Sequence, residues 1–549
     1  MRSARVLAVV PWLWIAPLGP ALATGSVHEQ LTALAQEIVY TSARLHPMNA
    51  TGLGIPGYDA DLETPTEAAR AAELARLEKW RERLRRIASA KGSRPSTVDS
   101  DDAMLLEAQL ERSLNELKIY QVDRKSYGGS AVQVIEAIYT QFHELPIPGR
   151  DGATQEQLDK AWSDIVSRLE KTPAYVAAAH KLVTRPGHLF GVVDSKRLAA
   201  APELFNGALT EAAKNQLGAD SQSFARFVKA RDAALAAMAL TRAYIDARVA
   251  HWPENFAIGR EAYEQMLRRE KLLPYSAADI ARMGEMELEH GWAEEAWLAS
   301  LSRRDQMPFG AASGGGLAPG GEALISYYRD RLAELRQFVV DHQLVTVPTW
   351  LGAMVIEPTP GFMRPVSPGA SMNSPRLFSS STTGYYYITP QDSLQEAAAR
   401  LDMNEDFDRD RILSTAAHEA MPGHFLQLSV AKRHPDFIRR IQFSGEFAEG
   451  WAFYGEEMFV RLGLYGQDLD ARVFTARWER VRGARAIVDQ KLATGQWGFQ
   501  KAVDFYAQQG AFTPKAAEAA VAGIALGPGY VIAAAVRLCG PLDTGAGGS

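Results

Sequence analysis

The sequence predicts a mainly α-helical protein with one small β-sheet. Apolar residues recur at helical spacing through the N-terminal half, the period of a face packed on a core. A short stretch at 345–389 breaks that texture with prolines, β-branched residues and a run of tyrosines, as strands do. Among 549 residues, 47% are hydrophobic, 23% are charged and one is cysteine, so the fold rests on a packed core and not on disulfides.

In chain order, Arg2 and Arg5 precede an apolar run from Val6 to Leu18, and Ala21-Leu22-Ala23 offers a small-residue cleavage site. Residues 1–23 therefore read as a signal peptide cut after Ala23, giving a periplasmic or secreted protein. The short span and its Pro11 and Pro17 argue against a stable membrane insertion. No cysteine lies near the cut, so no lipid anchor on a new N-terminal cysteine is expected, and the single Cys539 has no internal partner. A net charge of -6 gives no basic footprint, which argues against nucleic acid as a partner.

Residues 24–309 read as a helical portion. Leu31, Leu34, Ile38 and Leu45 keep helical spacing. Thr64-Pro65-Thr66-Glu67 has the form of a capping box with proline at the first helical position, opening a helix striped by Leu74, Leu77, Trp80, Leu84 and Ile87. Ser100 is placed to cap a third helix carrying Leu106, Leu110, Leu114 and Leu117. Similar segments run through 223–248 and 277–300. These stripes are core, and together they wall a cleft. The Gly/Ala/Ser/Pro composition of 310–321 marks a flexible connection, either a hinge or a disordered insertion.

The second portion, 322–539, begins with a helix at 326–344. Residues 345–350 and 354–358 read as short strands interrupted by prolines, and 384–389 is the clearest strand. Between them, 361–375 reads as a loop and candidate lid. Tyr386 and Tyr387 either line a substrate cleft or pack the sheet. Residues 471–490 form a helix with Arg472, Arg477, Arg480, Arg482 and Arg485, most of them expected on a solvated face. Arg485 stands out by its i,i+4 spacing to Asp489. Residues 540–549 read as a flexible tail.

The chemistry concentrates in the stretch His418-Glu419-Ala420-Met421-Pro422-Gly423-His424. In the zinc-peptidase pattern H-E-x-x-H, ligands four residues apart stand about 40° apart around a helix. His418 and His424 are six apart, and an unbroken helix would splay them by roughly 120°. Pro422 removes a backbone donor and Gly423 frees the backbone. The segment thus reads as a kinked metal-binding helix with two extra residues absorbed at Pro-Gly, and Glu419 beside the metal without ligating it. A carboxylate ligand is expected from a following helix, where Glu449 lies 25 residues beyond His424, with Glu446 and Glu456 as substitutes.

H-E-A-x-P-G-H-x-x-Q followed by E-G-W-A-x-Y-x-E resembles the bacterial family known as domain of unknown function 885, over most of the chain after the signal segment. That family looks like a divergent branch of the glutamate zincins. The resemblance implies a largely helical zinc-peptidase fold with a cleft between helical lobes, one Zn2+ per chain, His418, His424 and Glu449 as ligands, and Glu419 as general base. It also implies hydrolysis of short peptides, held in extended form along a sheet edge. Arg485 and Asp489 match the family's R-x-x-x-D, and Arg485 would take a substrate carboxylate. Gly527-Pro528-Gly529-Tyr530 matches G-P-G-Y-x-x-x-Y, giving Tyr530 as a catalytic donor, but Ala534 stands where the second tyrosine is expected. Two rival readings follow: a relative that binds metal or peptide without turnover, and a helical binding protein whose histidines are core. The His2Glu set fits zinc best among divalent metals.

Overall fold

The computed structural model describes residues 25–89, 96–149, 152–304, 322–366, 370–389, 409–465, 469–510 and 512–534. The signal segment 1–23, the connection 310–321, Cys539 and the tail 540–549 lie outside the described residues. Helices dominate, and a three-stranded sheet sits among them.

The first helix, Val27–Leu45, is capped by Ser26 with a full capping box to Glu29, and it buries Leu31, Leu34 and Ile38. The next, Glu67–Ala88, starts later than the sequence suggests. Thr66, not Thr64, is the cap; its hydroxyl accepts from the Ala69 amide, and an alanine there cannot complete a box. Its stripe buries Leu77, Trp80, Leu84 and Ile87 as expected. Thr97–Asn115 is capped by Ser96, four residues before the expected Ser100, because Ser96 and Asp99 bond reciprocally and fix the start there. These three helices share one apolar cluster, which also takes Phe437 and Ile438 from the C-terminal half. A second cluster joins Gly129–His143, Gln155–Ala179 and Gln222–Asp246 around Trp162, Phe205 and Phe227.

Two long helices, Ala277–Arg304 and Leu469–Ala493, approach to backbone contact. A Cβ on Gly483 would stand 2.6 Å from the Gly284 carbonyl and the Leu288 amide, and one on Gly291 would stand 2.8 Å from the Ala476 carbonyl. Small residues two turns apart on each helix permit this spacing. It presses the arginine-bearing helix against its neighbour.

The sheet has order β1-β3-β2. β1 (Met354–Pro358) runs parallel to β3 (Gly384–Ile388), and β2 (Ala370–Asn373) runs antiparallel to it. Residues 345–350, expected as a strand, are irregular, since Pro348 has no amide for a ladder. The expected loop 361–375 contains β2. Tyr386 and Tyr387, expected as candidates for the cleft lining, are both in the core at 0% and 1% exposure. Successive strand residues face opposite ways: Tyr386 packs with Tyr328, Ile356 and Ile412, and Tyr387 meets Tyr139. Both faces of β3 are covered, so these tyrosines pack the sheet.

Gly483→Ala is expected to destabilise the protein by about 1–3 kcal/mol, because the new methyl meets backbone that a rotamer change cannot move. Urea unfolding measures this; a midpoint equal to wild type would mean that the helix pair separates freely.

Candidate metal centre

The helix Arg409–Glu419 ends at the first His-Glu pair, and His424–Ala431 begins at the second histidine. The hydrogen bonds between them show how the excess length is absorbed. Ala420 N bonds to Ala416 O at 2.7 Å, the ordinary step of four. Gly423 N then reaches Ala417 O at 3.0 Å and Leu426 N reaches Ala420 O at 3.3 Å, each a step of six. Gln427 N returns to the step of four, to Gly423 O at 3.1 Å. Two residues are looped out and the helical ladder resumes beyond them.

Pro422, inside the loop, has no amide to satisfy, and its carbonyl accepts from Trp451 Nε1 at 2.7 Å. Gly423 has φ -63° and ψ -142°, and a Cβ there would lie 1.7 Å from the His418 carbonyl oxygen. Only glycine fits. The result is that the His418 and His424 rings come to 4.6 Å between centroids, nearly perpendicular at 84°.

The helix Gly445–Leu462, capped by Ser444, brings the carboxylates. Glu449 Oε2 is 3.4 Å from His418 Nε2, and its Oε1 is 3.7 Å from His424 Nε2. Potential ligand atoms of His418, His424 and Glu449 all lie within 4.8 Å of one another. An ion at zinc–ligand distances of ~2.0–2.1 Å in a tetrahedron holds its ligand atoms about 3.4 Å apart, so the three residues fit such an ion. The substitutes are engaged elsewhere: Glu446 pairs with Lys271 at 2.6 Å, and Glu456 lies behind His418.

Glu456 Oε1 is 2.7 Å from His418 Nδ1. A carboxylate can only accept, so Nδ1 carries the hydrogen and Nε2 is left to face Glu449. Both Glu456 oxygens accept from Arg482 Nη2 at 2.5 Å, and the guanidinium lies 3.9 Å over the Phe453 ring. Arg482 is buried, as is Arg480, which bonds Glu295 and lies over Trp292. The expectation of a solvated arginine face fails at these two positions, because the Ala277–Arg304 helix covers Arg480 and the Gly445–Leu462 helix covers Arg482. Arg482 was missed as a site residue; the signal for it was Glu456, two turns from Glu449 and therefore in need of a buried counter-charge.

The electrostatics follow from this packing. Burial disfavours a charged His418, but its bonds to Glu449 and Glu456 outweigh that and push it up to about 10. Burial likewise opposes a charged Glu449, yet His418 and His424 hold it down at about 2. Burial and the charge of His418 push His424 down to about 4. Its Nδ1 is buried with no hydrogen-bond partner among the described residues. Glu419 is pushed up to about 7, chiefly by burial, with His418 pulling the other way and Glu449 and Glu456 adding to the rise. That places a carboxyl group near half-protonation at neutral pH, the poise of a general base.

Tyr530 follows the turn after the helix Pro514–Leu526, where Gly529 has φ +79° and donates to Asp489 Oδ1 at 2.7 Å. Its hydroxyl donates to Glu449 Oε1 at 3.0 Å, and burial with the nearby carboxylate pushes its pKa up, so it stays protonated. The expected Arg485–Asp489 pair does not form. Asp489 accepts instead from Tyr263 and Gly529, and Arg485 Nε donates to Tyr506 at 3.2 Å. Burial opposes the charge of Arg485, but Tyr506, Glu449 and Tyr530 outweigh it, so the guanidinium stays charged beside the centre. Val531–Ala534 forms a short turn of 3₁₀ helix, and an alanine at 534 has no side-chain donor.

Comparison with known proteins bears on the whole chain. The model of the family described as "Bacterial protein of unknown function (DUF885)" matches residues 47–536. Two crystal-structure relatives share the fold. One, from Shewanella oneidensis, is described as "a putative lipoprotein of unknown function"; it is 19% identical with a TM-score of 0.67, covering 92% of this chain and 90% of its own. The other, "the putative lipoprotein from Colwellia psychrerythraea", is 14% identical with a TM-score of 0.69 over the same shares. No curated protein matches by sequence.

With no metal bound, the raised His418 contributes stability that is complete below the unfolded value of about 6.5 and is lost as pH rises through about 10. Chelator-treated protein is expected to show a urea midpoint that falls over this range. His418→Gln should flatten the fall. A wild-type midpoint that falls no more steeply than the variant's would remove His418 as its source.

Proposed function

The chain belongs to the family of bacterial proteins of unknown function DUF885, and we propose that it is an exported zinc-dependent peptidase hydrolysing amide bonds of short peptides. The observation that carries this reading is the convergence of His418 Nε2, His424 Nε2 and Glu449 at ligand spacing, with Glu419 next to the first ligand. Zinc in such a site supplies Lewis-acid polarisation of a carbonyl and acidifies water toward a pKa of ~7.

The chain's own groups supply the rest. Glu456, held by Arg482, fixes the His418 imidazole by its Nδ1, and His418 would hold a cation through a deprotonated Nε2. Glu419, beside the first ligand, would take the proton of the attacking water and pass it to the leaving amine. Tyr530, protonated and hydrogen-bonded to Glu449, is the side-chain donor nearest the developing oxyanion. Arg485, charged and without a carboxylate hydrogen-bond partner among the described residues, anchors a carboxylate of the peptide. β2 is an edge strand packed beside the two histidine-bearing helices, where an extended peptide would add as a further strand.

Export is supported by the signal-like residues 1–23 and by the description of both structural relatives as lipoproteins. No helix among the described residues is long and apolar enough to cross a membrane. A second reading, binding of metal or peptide without turnover, is favoured by Ala534 in place of a tyrosine.

Metal content is the first test. Zinc retained by the wild type and lost from this centre in His424→Ala is expected; no zinc at the centre removes the peptidase reading. On a peptide library, Glu419→Gln is expected to keep the zinc and lose ~10²–10⁴ of the rate. Tyr530→Phe should lose ~10²–10³ in kcat. Zinc bound with no cleavage of any peptide by the wild type would favour the binding reading.

A further inference from the structure

Histidine and carboxylate oxygens stand at ligand spacing in a second place, among different residues. His28, at the start of the Val27–Leu45 helix, has its Nε2 3.4 Å from Asp436 Oδ2, and its Nδ1 3.7 Å from Asp99 Oδ1. Asp102 completes the group: potential ligand atoms of His28, Asp102 and Asp436 all lie within 4.8 Å of one another.

The distances separate this cluster from ordinary ion pairing. Where a histidine hydrogen-bonds a carboxylate in this protein, the atoms are close: 2.7 Å for His46–Glu73, 2.8 Å for His143–Glu357 and 2.7 Å for His418–Glu456. At His28 the Nε2–Asp436 Oδ2 separation is 3.4 Å, the value found between His418 Nε2 and Glu449 Oε2. It exceeds the usual N–H···O range of 2.7–3.2 Å and matches two ligands of one ion, about 3.4 Å apart.

The oxygens are apportioned in the same sense. Asp436 Oδ1 caps the helix Phe437–Ile441 by accepting from Arg439 N at 2.9 Å, which leaves Oδ2 toward His28. Asp102 Oδ1 takes Arg439 Nε at 3.0 Å, while its Oδ2 is buried with no hydrogen-bond partner among the described residues. Asp102 is 0% exposed, and an unmatched carboxylate oxygen at such a depth is costly. Three carboxyl groups, Asp99, Asp102 and Asp436, gather here around His28, with Arg439 bonded to Asp102.

We propose that His28, Asp102 and Asp436 form a second divalent-cation site, taking Zn2+ or Mn2+ through one nitrogen and two oxygens. It is structural. The ion joins the first helix, the Thr97–Asn115 helix and the segment that follows the His424–Ala431 helix, and it shares no residue with the Glu449 centre.

The test counts metal on tag-free full chain loaded with Zn2+, and separately with Mn2+, then freed of excess. Two equivalents are expected for the wild type, one each for His28→Ala and His424→Ala, and none for the double variant. Asp436→Ser, whose hydroxyl can still cap 437–441, is expected to read one. Added metal should raise the thermal midpoint of His424→Ala and leave that of the double variant unchanged. A His424→Ala protein that retains neither metal overturns the second site. So does a double variant that retains as much as His424→Ala. If His28→Ala alone removes the single ion bound, the second site stands and the Glu449 centre falls; if His424→Ala alone removes it, the reverse holds.

Discussion

The centre depends on a backbone constraint: six residues must span what a helical ladder ordinarily spans with four. The surplus is looped out at Pro422-Gly423, and the hydrogen bonds of step six close over it. Each part of the loop has its support. Proline leaves no orphan amide, Trp451 takes the freed carbonyl, and Gly423 passes where any side chain would enter the His418 carbonyl. The two imidazoles meet because the main chain can make this detour without losing its ladder.

A second demand is charge balance inside the protein. Glu449 and Glu456 project from one helix, two turns apart, and flank His418 on opposite sides of its ring. The inner carboxylate is answered by Arg482, the outer one by the histidines, and Tyr530 adds a neutral donor. Burying a charge without a partner costs several kcal/mol, so Arg482 and Glu456 have to arrive together. That couples the helix Leu469–Ala493 to the centre, and through Gly483 and Gly284 it couples the centre to the helix Ala277–Arg304.

Much of this was legible in the sequence. Helical stripes located the long helices, and His418, Glu419, His424 and Glu449 stood out because spacing and residue type were unusual together. What sequence reading missed was decided by burial. Two adjacent tyrosines look alike whether one face or both faces of a strand are covered, and only the packed sheet shows Tyr386 and Tyr387 to be core. Arginines on a helix read as solvated until the structure shows a neighbouring helix over each, Ala277–Arg304 over Arg480 and Gly445–Leu462 over Arg482. The Arg485–Asp489 spacing suggested a pair, but Asp489 is claimed by partners distant in sequence, Tyr263 and Gly529, which no local rule anticipates. Caps shifted by two and four residues because several Ser and Thr compete for each helix start; at Ser96 the reciprocal bond to Asp99 marks the winner, and at Thr66 no such partner exists.

The cluster formed by the first three helices carries a consequence for the order of folding. It is finished by Phe437 and Ile438, and Arg439 beside them bonds Asp102, 337 positions earlier. Helices made first in synthesis therefore wait for a segment made near the end before their apolar ground is covered. A chain closed by contacts so distant in sequence compacts late and as a unit. For a chain exported as proposed, such a delay would keep the emerging polypeptide threadable until almost all of it has passed.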